Sequence, residues 1–349
     1  MRGGDKTTGS IILAPTQTTA VPLTIQQLAG SNANMFTMMN SGGTTIGGVN
    51  SNLVAYGNIA GDVCTGRLTL SSTDPCPIGD IGGASGTTIY YLPYNGRGMV
   101  TLYNTGGYFE TFALPPSGLS ISAAPCGTNY NVDVFIYNTL GGGGGTLGLG
   151  LIGWASDTTR ATALLNFGNY FYPTGQPQQR YIGTVRSSSV SGQITDSSAN
   201  RYVWNMHNRH PRPIYKGSGN YSDTTSTSTN AARFSNNSVN NCRIDFVIGG
   251  VKDTSVELAV YAIFALTGAA AQWMGSGYAF NGSTSVLYPC TQLNATNIGA
   301  IGSSSIASMY AGLAPGYNYV SAIDVYGGSG AAGAGYYWYN LVLTGTIMA

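Results

Sequence analysis

Apolar and polar residues alternate along much of this chain with the period of two that is typical of β-strands. Residues 130–137 are the clearest case, because valine or isoleucine recurs at every second position and Asp133 lies between them. We therefore expect a strand with one face against a core and with Asp133 towards solvent. Residues 315–325 and 336–347 show similar runs and are expected to form the last strands.

Turn-forming glycines between the apolar runs predict several β-hairpins. The expected pairs and turns are 87–94 with 99–103 around Asn95-Gly96, 99–103 with 108–114 around Gly106-Gly107, 130–137 with 147–154 around the glycine run 141–145, and 243–248 with 256–266 around Gly249-Gly250.

Short helices are expected in two places only, residues 23–29 and 158–166, and neither has strong capping residues. The glycine run at 141–145 lacks the Lys-Ser or Lys-Thr and the following helix that a phosphate-binding loop needs. The predicted fold is therefore all-β, with antiparallel β-sandwich or jelly-roll domains.

A length of 349 residues exceeds one hydrophobic core, so two or three compact units are expected. Residues 1–62 are rich in Thr, Asn and Gly and predict an extended N-terminal arm that orders against neighbours. Residues 63–215 predict a β-sandwich body, and residues 216–349 a C-terminal β domain with a jelly-roll-like tip. The polar stretch 216–230 is expected to be a loop or linker.

Charged residues make up only 8% of the chain, against about 25% in ordinary proteins. Disorder is not expected, because 43% of the residues are hydrophobic and 11% are aromatic. The 14 Lys and Arg residues nearly balance the 13 Asp and Glu residues, which leaves no basic field for a phosphate backbone. Nucleic acid is therefore not an expected partner, and the uncharged polar surface favours packing against further copies of the chain.

The five cysteines are widely spread and form no Cys-x-x-Cys motif, so neither a disulfide framework nor a zinc ribbon is predicted. Most are expected to be thiols, and whether Cys64 and Cys76 form a disulfide stays open. The apolar run at 11–14 is too short for a signal peptide. The apolar stretch 258–274 is interrupted by polar residues, which favours buried strands over a membrane span.

Seven ordered blocks between residues 64 and 212 resemble a family of bacteriophage and prophage proteins known as tail-fibre, head-fibre or virion-associated proteins. The blocks are CTGRLTL at 64–70, TTIYYLPYNG at 87–96, YNVDVF at 130–135, Trp154 with TTRATAL at 158–164, RYIGTVR at 180–186, DSSANRYVWN at 196–205, and Asn208-Arg209.

The resemblance implies a place in a virus particle and no agreed biochemical activity. It also implies a homotrimer, since fibres that resemble this family are commonly three-fold. We expect a virion protein whose N-terminal arm binds major capsid or tail proteins and whose tip meets a host surface glycan. The rival hypotheses are a capsid decoration protein without a receptor, a tail receptor-binding or carbohydrate-binding adhesin, and a glycan-hydrolysing tailspike.

Basic and aromatic residues are interleaved between residues 180 and 216, and they form the first candidate site. Such a cluster can grip nucleic acid or an acidic polysaccharide. Because the residues fall on predicted strands, buried arginines that bind between sheets or subunits are the favoured interpretation. The members are Arg180, Arg186, Arg201, Trp204, Arg209 and Arg212.

Aromatic residues near the end of the chain form the second candidate site. Their rings can stack on sugars or line a subunit interface, and both interpretations remain open. The members are Tyr317, Tyr319, Tyr336, Tyr337, Trp338 and Tyr339.

Catalytic and metal sites have little support in the sequence. His207 and His210 are the only histidine pair and lack an obvious third ligand, so no metal is predicted. A glycan hydrolase needs two carboxyl groups about 5 to 10 Å apart, and the conceivable members are Glu110, Asp133, Asp157 and Asp245. Asp157, three residues before Arg160, is expected to form a local ion pair or a turn cap instead. We therefore expect a protein that is not an enzyme and needs no cofactor.

Overall fold

The computed structural model describes most of the chain, with gaps. The described residues are 36–39, 45–49, 55–57, 63–82, 86–94, 98–104, 109–139, 145–167, 169–219, 221–224, 231–234, 238–250, 255–266, 272–283, 291–295, 301–311, 313–327 and 335–349. Most of the predicted N-terminal arm, the predicted helix at 23–29 and the turns at Asn95-Gly96 and Gly106-Gly107 lie outside them.

Within these residues the chain forms β-strands and no α-helix, so the all-β prediction is confirmed. The strands are β1 Phe36–Met39, β2 Thr45–Val49, β3 Ala55–Gly57, β4 Gly66–Thr69, β5 Thr88–Pro93, β6 Met99–Tyr103, β7 Phe109–Ala113, β8 Leu119–Ser122, β9 Asn131–Asn138, β10 Leu147–Gly153, β11 Leu164–Phe167, β12 Tyr170–Pro173, β13 Arg180–Arg186, β14 Asn200–Arg201, β15 Val203–Asn205, β16 Pro211–Ser218, β17 Tyr221–Thr224, β18 Ala231–Phe234, β19 Arg243–Ile248, β20 Ser255–Leu266, β21 Gln272–Phe280, β22 Thr291–Ala295, β23 Ile301–Ala311, β24 Gly316–Gly327 and β25 Gly335–Met348.

The prediction of a helix at 158–166 is wrong. The segment consists of bends, and β11 begins at Leu164. The Ser156 hydroxyl accepts hydrogen bonds from the backbone N–H groups of Thr158 and Thr159 at 3.3 and 3.1 Å. Such local bonds compete with helix formation. A bridge between Trp154 and Arg160 then holds the segment in an extended turn.

A four-stranded antiparallel sheet in the order β10-β9-β13-β15, here called the central sheet, is buried on both faces. The face that carries Val134 packs into a first core shared with the sheets β4-β5-β8 and β1-β2-β3-β7-β6. On the opposite face Phe135 and Tyr181 contact a second core. Because both faces are covered, Asp133 is only 2% exposed, and the prediction that it faces solvent is wrong.

The second core lies between two larger sheets packed as a β-sandwich. One sheet runs in the order β14-β19-β24-β21-β22, with β18 also paired to β24, and the other runs β16-β25-β20-β23, with β17 also paired to β25. Phe246 and Val320 of the first sheet face Val260 and Leu343 of the second. The pairings are antiparallel except for β14 beside β19.

Two of the predicted hairpins form, and two do not. Strand β9 pairs with β10, and β6 pairs with β7, as predicted. Strand β5 pairs with β4 and β8 rather than with β6. Strands β19 and β20 lie in different sheets, because β19 pairs with β24 and β20 pairs with β23 and β25.

Gly249 and Gly250 therefore serve close packing rather than a hairpin turn. A Cβ at position 249 would lie 2.1 Å from the Thr184 hydroxyl, and one at position 250 would lie 2.1 Å from the Trp204 ring. Only glycine lets this crossover pass so near the central sheet.

The stretch 216–230 is partly strand, so the prediction of a loop there is wrong for its first half. Strands β16 and β17 both pair with β25 in this region. Strands β20 and β21 span most of the apolar stretch 258–274, as predicted. In the described part of the chain no helix is long and apolar enough to cross a membrane. The division at residues 62 and 215 stays a prediction.

Candidate functional site

The six residues of the basic and aromatic cluster do not form one surface. Arg180, Arg186 and Arg201 are 1%, 4% and 1% exposed, which places them inside the protein. Arg212 and Trp204 are also buried, and only Arg209 is partly exposed. The structure distributes them over two interior clusters, a third cluster that reaches the surface at Asp157, and one open cleft.

The first cluster is centred on Asp196, a buried carboxylate between two buried arginines. Arg212 Nη2 lies 3.0 Å from Asp196 Oδ2, and Arg201 Nη1 lies 3.5 Å from Asp196 Oδ1. Arg201 also donates two bonds to the Pro213 carbonyl, at 3.0 and 2.7 Å. Burial raises the pKa of Asp196 and lowers that of Arg201, and the opposite charges of the pair counteract both effects.

The second cluster is centred on Asp133, whose position in the alternating pattern predicts exposure to solvent. Arg160 Nε lies 2.5 Å from Asp133 Oδ2, and the Thr184 hydroxyl donates to Asp133 Oδ1 at 2.6 Å. Arg160 also donates to the Gly249 carbonyl, which ties the central sheet to the crossover between β19 and β20. Burial and the Asp133 charge raise the pKa of Tyr181, whose hydroxyl lies 2.6 Å from the Thr184 hydroxyl.

Aromatic rings and guanidinium groups alternate through this part of the interior. The Arg160 Cζ atom lies 4.4 Å from the Trp154 ring and 5.4 Å from the Tyr181 ring. The Tyr181 ring stacks on the Trp204 ring, with 6.5 Å between the ring centroids. The Arg209 Cζ atom lies 5.5 Å from the centroid of the same Trp204 ring. The cation–π series thus reaches from the protein interior to the partly exposed Arg209.

The third cluster joins Arg186 to the second candidate site. Arg186 Nη1 donates to Asn131 Oδ1 at 2.8 Å and to Asp157 Oδ1 at 2.7 Å. Its Cζ atom lies 3.8 Å from the Tyr317 ring centroid. The expectation of a local ion pair between Asp157 and Arg160 is therefore wrong, because Arg160 pairs with Asp133 and Asp157 pairs with Arg186.

Tyr317 lines a polar cleft of about 280 Å³, here called the Tyr317 cleft. Its hydroxyl donates to Asp245 and accepts from Arg243, which itself lies 2.7 Å from Asp245. Asn200, Asn240 and Lys216 complete the polar lining. Burial and the Asp245 charge raise the pKa of Tyr317.

The other members of the aromatic set do not share this cleft. The Tyr319 ring is covered by Arg243, whose Cζ atom lies 3.8 Å from its centroid. Tyr336, Tyr337 and Trp338 lie on β25 beside β17 and β20, and their side chains are outside the described residues. Tyr339 is 45% exposed.

A larger cleft of about 510 Å³, here called the Arg209 cleft, lies at the loop between β15 and β16. Arg180, His207, Asn208 and Arg209 supply its polar lining, and its remaining walls are the sulfur-containing side chains Cys64, Met206 and Met348. Burial, Arg180 and Arg209 together lower the pKa of His207 to about 3, so that imidazole is neutral near pH 7.

The two histidines have separate surroundings. His207 Nε2 lies 3.5 Å from Arg180 Nη2, whereas His210 contacts the Tyr94 hydroxyl. Among the described residues no group of three His, Cys, Asp or Glu side chains could hold a metal ion.

The carboxylates considered for glycan hydrolysis are engaged in different places. Asp133, Asp157 and Asp245 each pair with a different arginine. Glu110 is 3% exposed and lies on β7 of another sheet. The structure therefore does not gather these candidates around one groove.

Cys126 and Cys242 are buried thiols, and burial raises the pKa of each to about 11. The Cys64 sulfur lies 3.1 Å from the Tyr91 hydroxyl. No local pattern predicts these surroundings, since each depends on strands far apart along the chain.

Comparison with known proteins assigns no family. No family model and no curated protein matches the chain. The structure of the infectious bursal disease virus Gx strain aligns over 77% of this chain and 69% of its own, with 9% identity and a TM-score of 0.28. Dimeric latent PorU from Porphyromonas gingivalis aligns over 62% of this chain at 10% identity and a TM-score of 0.26, and only 22% of PorU is covered.

An exo-beta-1,3-galactanase from Phanerochaete chrysosporium aligns over 76% of this chain and 67% of its own, at 11% identity and a TM-score of 0.16. Scores this low carry no argument about function.

Proposed function

We propose that this chain is a non-catalytic structural subunit of a bacteriophage particle, which assembles with copies of itself into a fibre, spike or capsid-surface decoration. The observation that carries the proposal is the placement of charge. Arginines and carboxylates pair inside the protein, as at Asp133 and Asp196, and tie neighbouring sheets together.

In the described part of the chain, the outer face of the sheet β16-β25-β20-β23 carries several exposed uncharged residues, with Glu257 as an exposed charge. Along β16 the outward residues include Pro211, Pro213 and Tyr215, and Tyr261 is exposed on β20 of the same sheet. A rigid scaffold with polar and aromatic faces suits repeated packing against identical subunits, because little desolvation of charge is required. The resemblance of residues 64–212 to virion-associated proteins supports the particle context.

An adhesin is the second candidate, and the Tyr317 cleft is the observation that favours it. Amide, carboxylate and guanidinium groups line this cleft, and they suit the hydroxyl groups of a sugar. Repeated copies on a particle would sum weak contacts into avidity for a host surface.

Measurements of oligomeric state and of catalytic activity distinguish these two proposals from a glycan hydrolase. Native mass spectrometry of the purified chain is expected to show a homo-oligomer, and a trimer is the expected form. Incubation with host polysaccharide is expected to release no oligosaccharide. A stable monomer would argue against the structural subunit, and released oligosaccharide would support a tailspike.

A further inference from the structure

The guanidinium group in the Tyr317 cleft is engaged through all three of its nitrogen atoms. Arg243 Nε donates to Asp245 Oδ1 at 2.8 Å, and Arg243 Nη1 donates to Asn240 Oδ1 at 2.9 Å. The third nitrogen atom, Nη2, donates to the Tyr317 hydroxyl, and the Cζ atom lies 3.8 Å from the centroid of the Tyr319 ring. Arg243 therefore forms a wall of the cleft, and its charge is paired with Asp245.

Three other polar groups of the lining are available to a ligand. In the described part of the chain, Asp245 Oδ2, the side-chain amide of Asn200 and the ammonium group of Lys216 make no hydrogen bond and no ion pair. Each of the three residues is half-buried. An ionised carboxylate only accepts hydrogen bonds, an ammonium group only donates them, and an amide does both. The cleft therefore offers acceptors and donors to the same ligand.

A short segment that includes β14 holds these groups around one cleft. The Ser198 carbonyl accepts from the Tyr215 N–H of β16 at 2.9 Å. The Ala199 carbonyl accepts from the Asp245 N–H of β19, also at 2.9 Å. Asn200 and Asp245 are paired residues of the parallel strands β14 and β19, so their side chains project to the same face of strands about 4.8 Å apart. Groups fixed in this way lose little entropy when a ligand binds.

We infer that the Tyr317 cleft binds a neutral saccharide through two adjacent hydroxyl groups, with Asp245 Oδ2 as the acceptor and Asn200 and Lys216 as the donors. The inference rests on the adhesin proposed above and names its ligand class. Each sugar hydroxyl both donates and accepts, so one donates to the carboxylate oxygen while its neighbour accepts from the amide or the ammonium group. An acidic sugar would bring its own negative charge towards the free oxygen of Asp245, where like charges repel.

The size of the cleft limits the ligand to about one sugar unit. Its volume of about 280 Å³ lies at the lower end of the range for small-molecule sites. The Tyr317 ring is covered by Arg186, whose Cζ atom lies 3.8 Å from the ring centroid, so hydrogen bonds rather than stacking on this ring hold the sugar. We expect a dissociation constant on the order of 1 mM, which repeated copies on a particle would raise to a useful avidity.

Saturation-transfer NMR of the full chain at neutral pH measures such weak binding. The probes are methyl α-mannopyranoside, methyl β-galactopyranoside, glucuronate, and tetrahydropyran-2-methanol, which has the ring of a hexose without adjacent hydroxyl groups. We expect at least one of the two glycosides to bind, with an affinity that changes less than about twofold between low and high salt, because a neutral ligand is not screened. The inference is overturned if neither glycoside binds, if tetrahydropyran-2-methanol binds as tightly, or if glucuronate binds more tightly than both glycosides.

Two variants locate the binding. Asn200→Ala and Lys216→Met each remove one donor of the cleft, and each is expected to weaken glycoside binding roughly threefold to tenfold, as for the loss of one hydrogen bond. The matched control is Asn166→Ala, which removes an exposed asparagine of β11 that does not line the cleft. The inference fails if this control weakens binding as much as Asn200→Ala, or if neither cleft variant weakens it. Melting curves confirm that each variant is folded.

Attachment of the chain to host cells separates this inference from the adhesin proposal on which it rests. We expect the wild-type chain to attach and Asn200→Ala to attach more weakly. If both attach equally well, the adhesin proposal stands and the inference about the cleft is wrong. If the wild-type chain does not attach, the adhesin proposal fails, and the NMR measurement alone decides whether the cleft binds a saccharide.

Discussion

Asp196 lies between Arg201 and Arg212 with little access to water, so its charge is expected to contribute to the stability of the fold. Replacing Asp196 by Asn removes the counter-charge of two buried guanidinium groups. We expect the free energy of unfolding to fall by about 3–5 kcal/mol, as when one partner of a buried ion pair is lost. Urea unfolding followed by circular dichroism measures the change.

The matched control is Glu257→Gln, which removes a negative charge from an exposed position on β20. It is expected to change the free energy of unfolding by less than about 0.5 kcal/mol. Equal effects of the two substitutions would contradict the assignment of Asp196 as a buried structural carboxylate.

The buried thiols give an expected dependence on pH. The unfolded thiols of Cys126 and Cys242 ionise near the ordinary pKa of 9.0, whereas the folded thiols stay protonated up to about 11. Raising the pH through this window therefore favours the unfolded state, and the stability present below pH 9 is progressively lost.

In the double variant Cys126→Ala/Cys242→Ala, the free energy of unfolding is expected to decrease less steeply between pH 9 and 11 than in wild type. Urea unfolding at pH 7 first measures the packing loss of the double variant, and the slope at higher pH is then compared with wild type. An unchanged slope would show that these thiols are not protected from ionisation.

At the scale of elements, Gly250 marks the place where the chain crosses from β19 to β20 beside the central sheet. Gly250→Ala would place a Cβ 2.1 Å from the Trp204 ring, so we expect a loss of about 1–3 kcal/mol and altered tryptophan fluorescence. Gly219→Ala is the control, since an added Cβ there meets nothing within 4 Å. A similar loss in both variants would argue against close packing at Gly250.

Local pattern predicted many of the strands and two of the four hairpins, but not how the other strands pair. The alternation at 130–137 and the apolar run before Gly249 correspond to β9 and β19. Pairing of β19 with β24 joins residues about seventy positions apart, as in Ile244 with Val320, and no local signal encodes it. Gly249-Gly250 resembled a turn because glycine serves tight turns and close packing alike.

The alternating pattern also does not predict the burial of Asp133, for a related reason. A polar residue among alternating apolar residues normally faces water. Here a second core covers the other face of the central sheet, and Arg160, 27 positions away, supplies the counter-charge. The basic and aromatic cluster was found as a set of residues, whereas its division among several carboxylates required the three-dimensional structure.

At the scale of the whole molecule, the central sheet contributes residues to both cores. Arg67, on β4, also donates to the Ala349 carbonyl at 2.8 Å, beyond the end of β25. We therefore expect the two cores to unfold together in one transition.

Ile136→Ala in the first core and Leu343→Ala in the second test this cooperativity, and each residue is 0% exposed. Each substitution is expected to lower stability by about 2–5 kcal/mol and to shift the same transition, whether it is followed by circular dichroism or by tryptophan fluorescence. Two separate transitions, each moved by only one substitution, would contradict a shared structural unit.

The central claim is that the chain is a structural subunit of a virus particle. The most direct measurement is to purify particles from a culture whose viral genome encodes the chain, quantify the chain by mass spectrometry, and locate it with antibodies under the electron microscope. We expect a fixed number of copies per particle, in multiples of three, at one site on the head or tail. A chain that remains in the soluble fraction as a monomer and is absent from the particles would contradict the claim.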